Sequence, residues 1–275
     1  MWDKEKRFFA LVTVMVVCGT VSAVKQLNMA PNAVDDLYQG CREQAMEELI
    51  HSDVLGQELS GDDGFQTAWN DKCPTLLPGG VKEHTAALLA YASGNAFLKV
   101  FNDAVETMGV NVSIYKHDFH FKSLHFLLMD IMKLVQPATC KNVYRVTSGN
   151  YIAEKGSKVR FGRFTTAHLD LSVKEDVEEG VYFNITTCFF VSLEGFCGLV
   201  EDIAILSPTE EFTVVDVKQV DDYREIILTH SKLEAFHNCY SFPQPTTAPA
   251  GGRAPAGNST PLWLVLVLVT WVLFS

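Results

Sequence analysis

VYFNITTCFFV, Val181 to Val191, is the stretch in which the chain changes period. Val181, Phe183, Ile185, Phe189 and Val191 fall on one side of an alternation and Asn184 and Cys188 on the other, the pattern of a strand with one buried face. Outward from it, Asn142–Thr147, Lys158–Thr165, Ile203–Leu206, Phe212–Val217 and Arg224–Thr229 carry the β-branched and aromatic content of further strands. Towards the N-terminus the period lengthens. Arg42 to Ile50 is rich in helix formers, and Val81 to Tyr91 follows the break Pro78-Gly79-Gly80 with Ala86, Leu89 and Ala90 at helical spacing. Phe97, Phe101, Ala104, Val105 and Met108 make an apolar stripe closed by Gly109, and Phe119 to Val135 stops just before Gln136-Pro137. Helices followed by strands predict an α+β fold, with residues 24–138 mainly helical and 139–242 mainly strand.

The two ends carry signals of a different kind. Lys4, Lys6 and Arg7 precede an apolar run, Phe8 to Val17, and Val21-Ser22-Ala23 offers a small-residue cleavage site, so 1–23 reads as a secretory signal. The Pro/Thr/Ala/Gly-rich segment from Pro243 has linker composition. It leads to Ala250-Gly251-Gly252, a polar spacer from Arg253 to Pro261, and a second apolar run, Leu262 to Phe274. That layout matches a glycosylphosphatidylinositol (GPI) attachment signal, with attachment at Ala250 and removal of 251–275. The run is shorter than the roughly 20 residues a spanning helix needs, and no basic residue follows it. The expectation is a protein on the extracellular face of the plasma membrane, held to the membrane through a lipid anchor.

The chain has 33 acidic against 22 basic side chains. This balance argues against sequence-independent nucleic-acid binding, which needs a basic surface. Cys18 leaves with the signal, and Cys41, Cys73, Cys140, Cys188, Cys197 and Cys239 remain, an even number in an oxidising compartment. Disulfides are expected, with the pairing left open by the spacing. No CxxC or Cys/His cluster has zinc-ligand spacing. His117 and His120 lie three apart and His125 five further on, but no acidic ligand follows the pattern, so no metal is expected. Asn111-Val112-Ser113 and Asn184-Ile185-Thr186 are N-glycosylation acceptors, which imply exposed positions; Asn258 falls in the discarded tail.

A set of short motifs recurs in a fixed order. Asp35-Asp36-Leu37-Tyr38-Gln39-Gly40-Cys41 is followed by Phe65-Gln66-Thr67-Ala68-Trp69, Leu76-Leu77-Pro78, Glu83-His84 through Ala90-Tyr91, and FHFKSLHFLL from Phe119 to Leu128. With Tyr144-Arg145 and RFGRFTTAH, Arg160 to His168, this order resembles the vertebrate ecto-ADP-ribosyltransferases, the arginine-specific family that transfers ADP-ribose from NAD to proteins. The resemblance spans about Met29 to Tyr240. It implies the family's fold, a helical half packed on a β-rich core, with NAD as substrate, no metal, and arginine side chains of extracellular proteins as acceptors.

That family works with an arginine, a serine and a pair of glutamates. The resemblance places Arg145 at the dinucleotide phosphates, a role suited to a forked guanidinium. Thr166 stands where the serine stands, and its hydroxyl keeps donor and acceptor capacity. Tyr91 and Arg163 join Arg145 and Thr166 as residues expected at the cofactor, Arg163 replacing the family's glutamine; His168 replaces a second serine. Glu201 takes the first glutamate position, facing the acceptor guanidinium. Ile203 takes the second, where the family's catalytic carboxylate stabilises the oxocarbenium-like transition state. An isoleucine can do neither part of that work, and losing one positioned electrostatic group costs on the order of 100- to 1,000-fold in rate. Asp202 is turned to the opposite face by alternation. Val146 replaces a glycine after Tyr-Arg, and the glycine usual after Thr187-Cys188 is absent.

The same resemblance pairs Cys41 with Cys239 and Cys140 with Cys188, leaving Cys73 and Cys197 either joined to each other or free. Three functions follow from it: an arginine-specific mono-ADP-ribosyltransferase weakened or silenced at Ile203, a non-catalytic GPI-anchored binding protein on the same fold, and an NAD glycohydrolase that uses water as acceptor and would need the same missing carboxylate.

Overall fold

The computed structural model describes residues 24–69, 73–94, 96–177, 179–199 and 202–242. The signal segment, Glu201, Ala250 and the tail lie outside the described residues. After a short strand, β1 (Lys25–Gln26), the first half is helical: α1 (Arg42–Ala45) continues into a π-helical turn, Met46–Ile50, followed by α2 (Val54–Gly61), α3 (Asp63–Trp69), α4 (Lys82–Ala92), α5 (Ala96–Thr107), α6 (Val112–His117) and α7 (Lys122–Leu134). The stretches expected from periodicity are all helical. α2, α3 and α6 are additional and short; Gly56 and Gly61 dilute the apolar pattern of α2 and Gly64 that of α3, and α6 has only six residues.

α7 is the buried axis of this half. Leu124, Phe126, Leu127, Leu128, Met129, Ile131 and Met132 are sealed from solvent, and an apolar surface on all sides marks a core helix. Its buried polar groups are answered. Glu58 accepts from the Lys122 and Ser123 amides at 2.8 and 2.9 Å, which fixes the helix start three residues later than Phe119. Asp130 takes a two-pronged bond from Arg42 at 2.6 and 2.7 Å and a third from His84 Nε2 at 3.0 Å. His125 accepts from the Tyr38 hydroxyl at Nδ1 and donates from Nε2 to the Val34 carbonyl. Burial pushes its pKa down to about 3. His117 and His120 are exposed, so the three histidines share no site.

The second half is strand: β2 (Lys141–Thr147), β3 (Tyr151–Ile152), β4 (Lys158–Val159), β5 (Thr165–His168), β6 (Gly180–Thr187), β7 (Phe190–Ser192), β8 (Ile203–Leu206), β9 (Glu210–Val220) and β10 (Tyr223–Leu233), with a 3-10 turn, Leu171–Asp176, after β5. All but β1 and β3 form one sheet in the order β4-β9-β10-β6-β2-β5-β8-β7. The joint between β2 and β5 is a single residue pair, Tyr144 opposite His168, so the strands splay on either side of it.

Alternation explains how this sheet serves two cores. Val143, Phe183, Ile185, Phe212 and Ile226 pack with Ala167, Ala204, Leu206 and Phe190 in one apolar cluster. Val191 and Ile205, one position on along β7 and β8, face the helices instead and join Phe164 and α7.

Val181 to Val191 is not one strand, contrary to the reading from alternation. β6 ends at Thr187, and β7 restarts at Phe190 beside β8. The break sits where Cys188 is tied to Cys140 and where buried Glu210 accepts from Thr187 Oγ1 and the Cys188 amide. Lys158–Thr165 also divides, because 160–164 passes between the two cores. Phe161 enters the sheet cluster and Phe164 the helical one. Gly162 makes the turn at φ +68°, where a Cβ would lie 2.4 Å from that of Ala30.

Three disulfides join Cys41 to Cys239, Cys73 to Cys197 and Cys140 to Cys188. Beside the first, Asp36 accepts from the Tyr38, Cys239 and Tyr240 amides at 2.7–2.8 Å. Asp35 binds the Phe236 and His237 amides and a buried Arg160 guanidinium.

Candidate active site

The splayed joint of β2 and β5 is the place where the residues singled out from sequence converge. Arg145 follows Tyr144 on β2, one position beyond the single pair with β5, and stays paired with β6 opposite Phe183. Its Nη1 crosses the gap to the Thr166 carbonyl at 2.7 Å and the Thr166 hydroxyl at 3.3 Å. Both residues keep partial exposure, so the guanidinium retains donors directed elsewhere.

Arg163 lies nearby, bound to Glu106 of α5 and within 3.8 Å of Asp103, with its Nε buried and unbonded among the described residues. Lys25 of β1 shares Glu106. Burial, with Arg163 and Arg145 close by, lowers the Lys25 pKa to about 8, against the pull of Asp103. Three cations facing two carboxylates leave an excess of positive charge, the electrostatics of an anion site. A cavity of about 280 Å³ adjoins Lys25 and Glu106. The largest cavity described, about 1180 Å³, lies among α2, α5 and α6, with Val54, Glu58, Val100 and His117 in its wall, and includes neither Arg145 nor Thr166. The candidate side chains gather here, away from the larger cavity.

Tyr91 is 1 % exposed. Its ring packs edge-on against Phe164 and Phe101, its hydroxyl accepts weakly from Asn102 at 3.4 Å, and burial pushes its pKa up to about 12. It forms the wall behind Arg163, with almost no surface open to a ligand.

On the far side of β5, His168 stands opposite Ile203 and Thr166 opposite Ile205, so these four side chains share a face. Ile203 is partly exposed and packs on the helical cluster. Asp202 departs from the expectation that alternation would turn it away. It precedes the first residue of β8, where the pleat no longer dictates direction, and its carboxylate reaches His168 Nδ1 at 2.9 Å and the Asp170 amide at 2.7 Å. Lys25, Asp103 and Glu106 are absent from the residues picked by sequence, and the bond between Asp202 and His168, both named there, was not foreseen. Asp103 and Glu106, three apart on α5, mark an acidic helix face, but nothing in the sequence names their partners.

Among the described residues one group has metal-ligand geometry, Cys188, Glu210 and His230, with ligand atoms within 4.8 Å of one another. The Cys188 sulfur is bonded to Cys140 and so offers no thiolate. Asn111 is exposed and caps α6 through its side chain, whereas Asn184 lies half-buried on a central strand.

A helical half packed on a splayed mixed sheet, with Arg145 bridging the gap to Thr166, defines an α+β fold with a cationic cleft at the splay. The family model for NAD:arginine ADP-ribosyltransferases matches residues 27–235, and the chain belongs to that family. The chain is 30% identical to mouse GPI-linked NAD(P)(+)–arginine ADP-ribosyltransferase 1 over 272 residues, 90% of this chain and 84% of that one. Chicken erythroblast NAD(P)(+)–arginine ADP-ribosyltransferase is 30% identical over 229 residues, 78% of this chain and 75% of that one. The crystal structure of the mono-ADP-ribosyltransferase ART2.2 superposes with a TM-score of 0.66 at 25% identity, covering 78% of this chain and 98% of that one. A glutamate-to-isoleucine mutant of ART2.2 in complex with NAD gives a TM-score of 0.65 at 27% identity, with the same coverage.

Proposed function

We propose that this chain is a cell-surface ADP-ribosyltransferase that binds NAD through Arg145 and Thr166, and that its transfer to arginine is slow because Ile203 stands where a carboxylate is needed. The observation that carries the reading is the Arg145 Nη1 bond across the splayed joint to Thr166, which fixes one end of the guanidinium and leaves the rest for a pyrophosphate. Arg163 and Lys25 add positive charge to the same place. Glu201 takes the acceptor-facing role. The ART2.2 mutant bound to NAD supports the separation of binding from catalysis, since an isoleucine in place of a glutamate is compatible with a bound dinucleotide in that protein.

The same isoleucine favours a second reading, an anchored surface protein that holds NAD and acts through a partner. The lipid anchor rests on the layout around Ala250, and relatives named as GPI-linked support it. Glycans at Asn111 and Asn184 belong to the same extracellular setting.

NAD titration of the secreted ectodomain, read by calorimetry, tests the binding claim. The unmutated protein binds NAD, and Arg145→Ala weakens binding roughly 10- to 100-fold, the worth of a charge-assisted hydrogen bond. Equal affinity in the two proteins would refute the assignment of Arg145.

A further inference from the structure

We propose that His168, positioned by Asp202, is the general base for the attack of water on NAD in this cleft; this rests on the NAD-binding reading above and deepens it by naming the residue that serves the water reaction. Tyr144, His168 and Ile203 lie in register across β2, β5 and β8. Directly opposed residues in such a row stand roughly 5 Å apart at Cβ. His168 is therefore the immediate neighbour of the position that lacks its carboxylate.

The tautomer follows from its partner. A carboxylate only accepts, so the 2.9 Å bond to Asp202 Oδ2 places the proton on Nδ1 and leaves the Nε2 lone pair available. No described residue bonds Nε2. The other Asp202 oxygen is held by the Asp170 amide, so the carboxylate is fixed from both sides. The His168 and Asp202 side chains are 40% and 36% exposed, which admits water.

The chemistry selects the nucleophile. A guanidinium must be held by carboxylate oxygens before it is deprotonated, and both oxygens of Asp202 are already engaged, one by His168 Nδ1 and the other by the Asp170 amide. Water needs only an acceptor. In the step, the water oxygen bonds to C1′ of the nicotinamide ribose as the C1′–N bond breaks. The electron pair of that bond leaves with nicotinamide, which departs neutral, and the water proton passes to His168 Nε2 and on to solvent. NAD and water thus become ADP-ribose, nicotinamide and one proton. His168 is the catalytic residue of this step, and Asp202 is a positioning residue.

The full-length protein displayed on cells, incubated with labelled NAD and a small guanidino acceptor, tests this when NAD binding, free ADP-ribose and modified acceptor are measured separately. Free ADP-ribose is expected to exceed modified acceptor. His168→Ala, and His168→Gln, which keeps a donor for Asp202, should lower kcat about 100-fold or more at unchanged KM. Free imidazole should restore part of the His168→Ala rate, which a merely structural role would not allow. Asp202→Asn should lower kcat less than either change at His168. Modified acceptor in excess of free ADP-ribose, a kcat unmoved in both His168 variants, failure of imidazole to rescue, or NAD bound without hydrolysis would each overturn the proposal while leaving the binding site standing. Absence of NAD binding would overturn both.

Discussion

Gly162 shows how much of this molecule turns on single positions. The five residues Arg160 to Phe164 cross between the sheet core and the helical core, and only a residue tolerant of φ +68° can make the turn against Ala30. Gly162→Ala should cost about 1–3 kcal/mol through left-handed strain and contact with Ala30. Differential scanning fluorimetry should then record a Tm several degrees lower, and an unchanged Tm would refute the packing described. His125 makes a second prediction. Its pKa of about 3 lies below the ordinary value of 6.5, so between those two values the unfolded chain binds a proton that the folded chain refuses. This site's contribution to stability is full above pH 6.5 and falls as acid is added, by up to ~1.4 kcal/mol per pH unit. NMR of the imidazole should show the neutral Nε2–H tautomer unchanged from pH 7.5 to 5; protonation near pH 6.5 would contradict it. At this scale the site was partly legible. Arg145 and Thr166 stood out through the motifs around them, and the structure brings the two together. Lys25 and Glu106 carried no signal, because they approach through the pairing of β1 with β3 and the packing of α5, neither of which a local pattern encodes.

The elements repeat that lesson in their boundaries. Long amphipathic stretches such as Phe97–Met108 and Phe119–Val135 announce their helices because burial of one face imposes the period. Val181–Val191 misled for a physical reason: alternation persists through Cys188, but the disulfide to Cys140 and the Glu210 hydrogen bonds end one strand and begin another, on a different neighbour. The splay between β2 and β5 was likewise invisible, since pairing partners are set by the whole sheet. The Asp35-Asp36 pair, readable only as part of a motif, proves to be a clasp for the segment that follows β10. Asp36→Ala would strip three backbone amides of their acceptor at once. A loss of about 3 kcal/mol or more follows if each unsatisfied donor costs 1–3 kcal/mol. Urea unfolding of the variant should show it as a lower midpoint, and an unshifted midpoint would mean that the clasp bears no load.

Over the whole molecule, closure and reaction meet in one design. Cys41 and Cys239, separated by 198 residues, join the two ends of the described chain, and a loop of that size is worth about 5 kcal/mol in the chain-entropy model. Replacing both by serine should lower unfolding stability by about 2–5 kcal/mol, measurable by denaturant titration; a smaller loss would assign the closure to the Asp35 and Asp36 bonds instead. The closed frame holds the β2–β5 joint at which Arg145 reaches Thr166; the function proposed above puts the NAD phosphates there and assigns to Ile203 the loss of the carboxylate that would assist nicotinamide departure. The measurement that tests this account most directly is ADP-ribose transfer from labelled NAD to a small guanidino acceptor by the unmutated protein and by Ile203→Glu. Transfer by the variant should exceed that of the unmutated protein on the order of 100-fold. Equal transfer by the two, or silence from both, would contradict it.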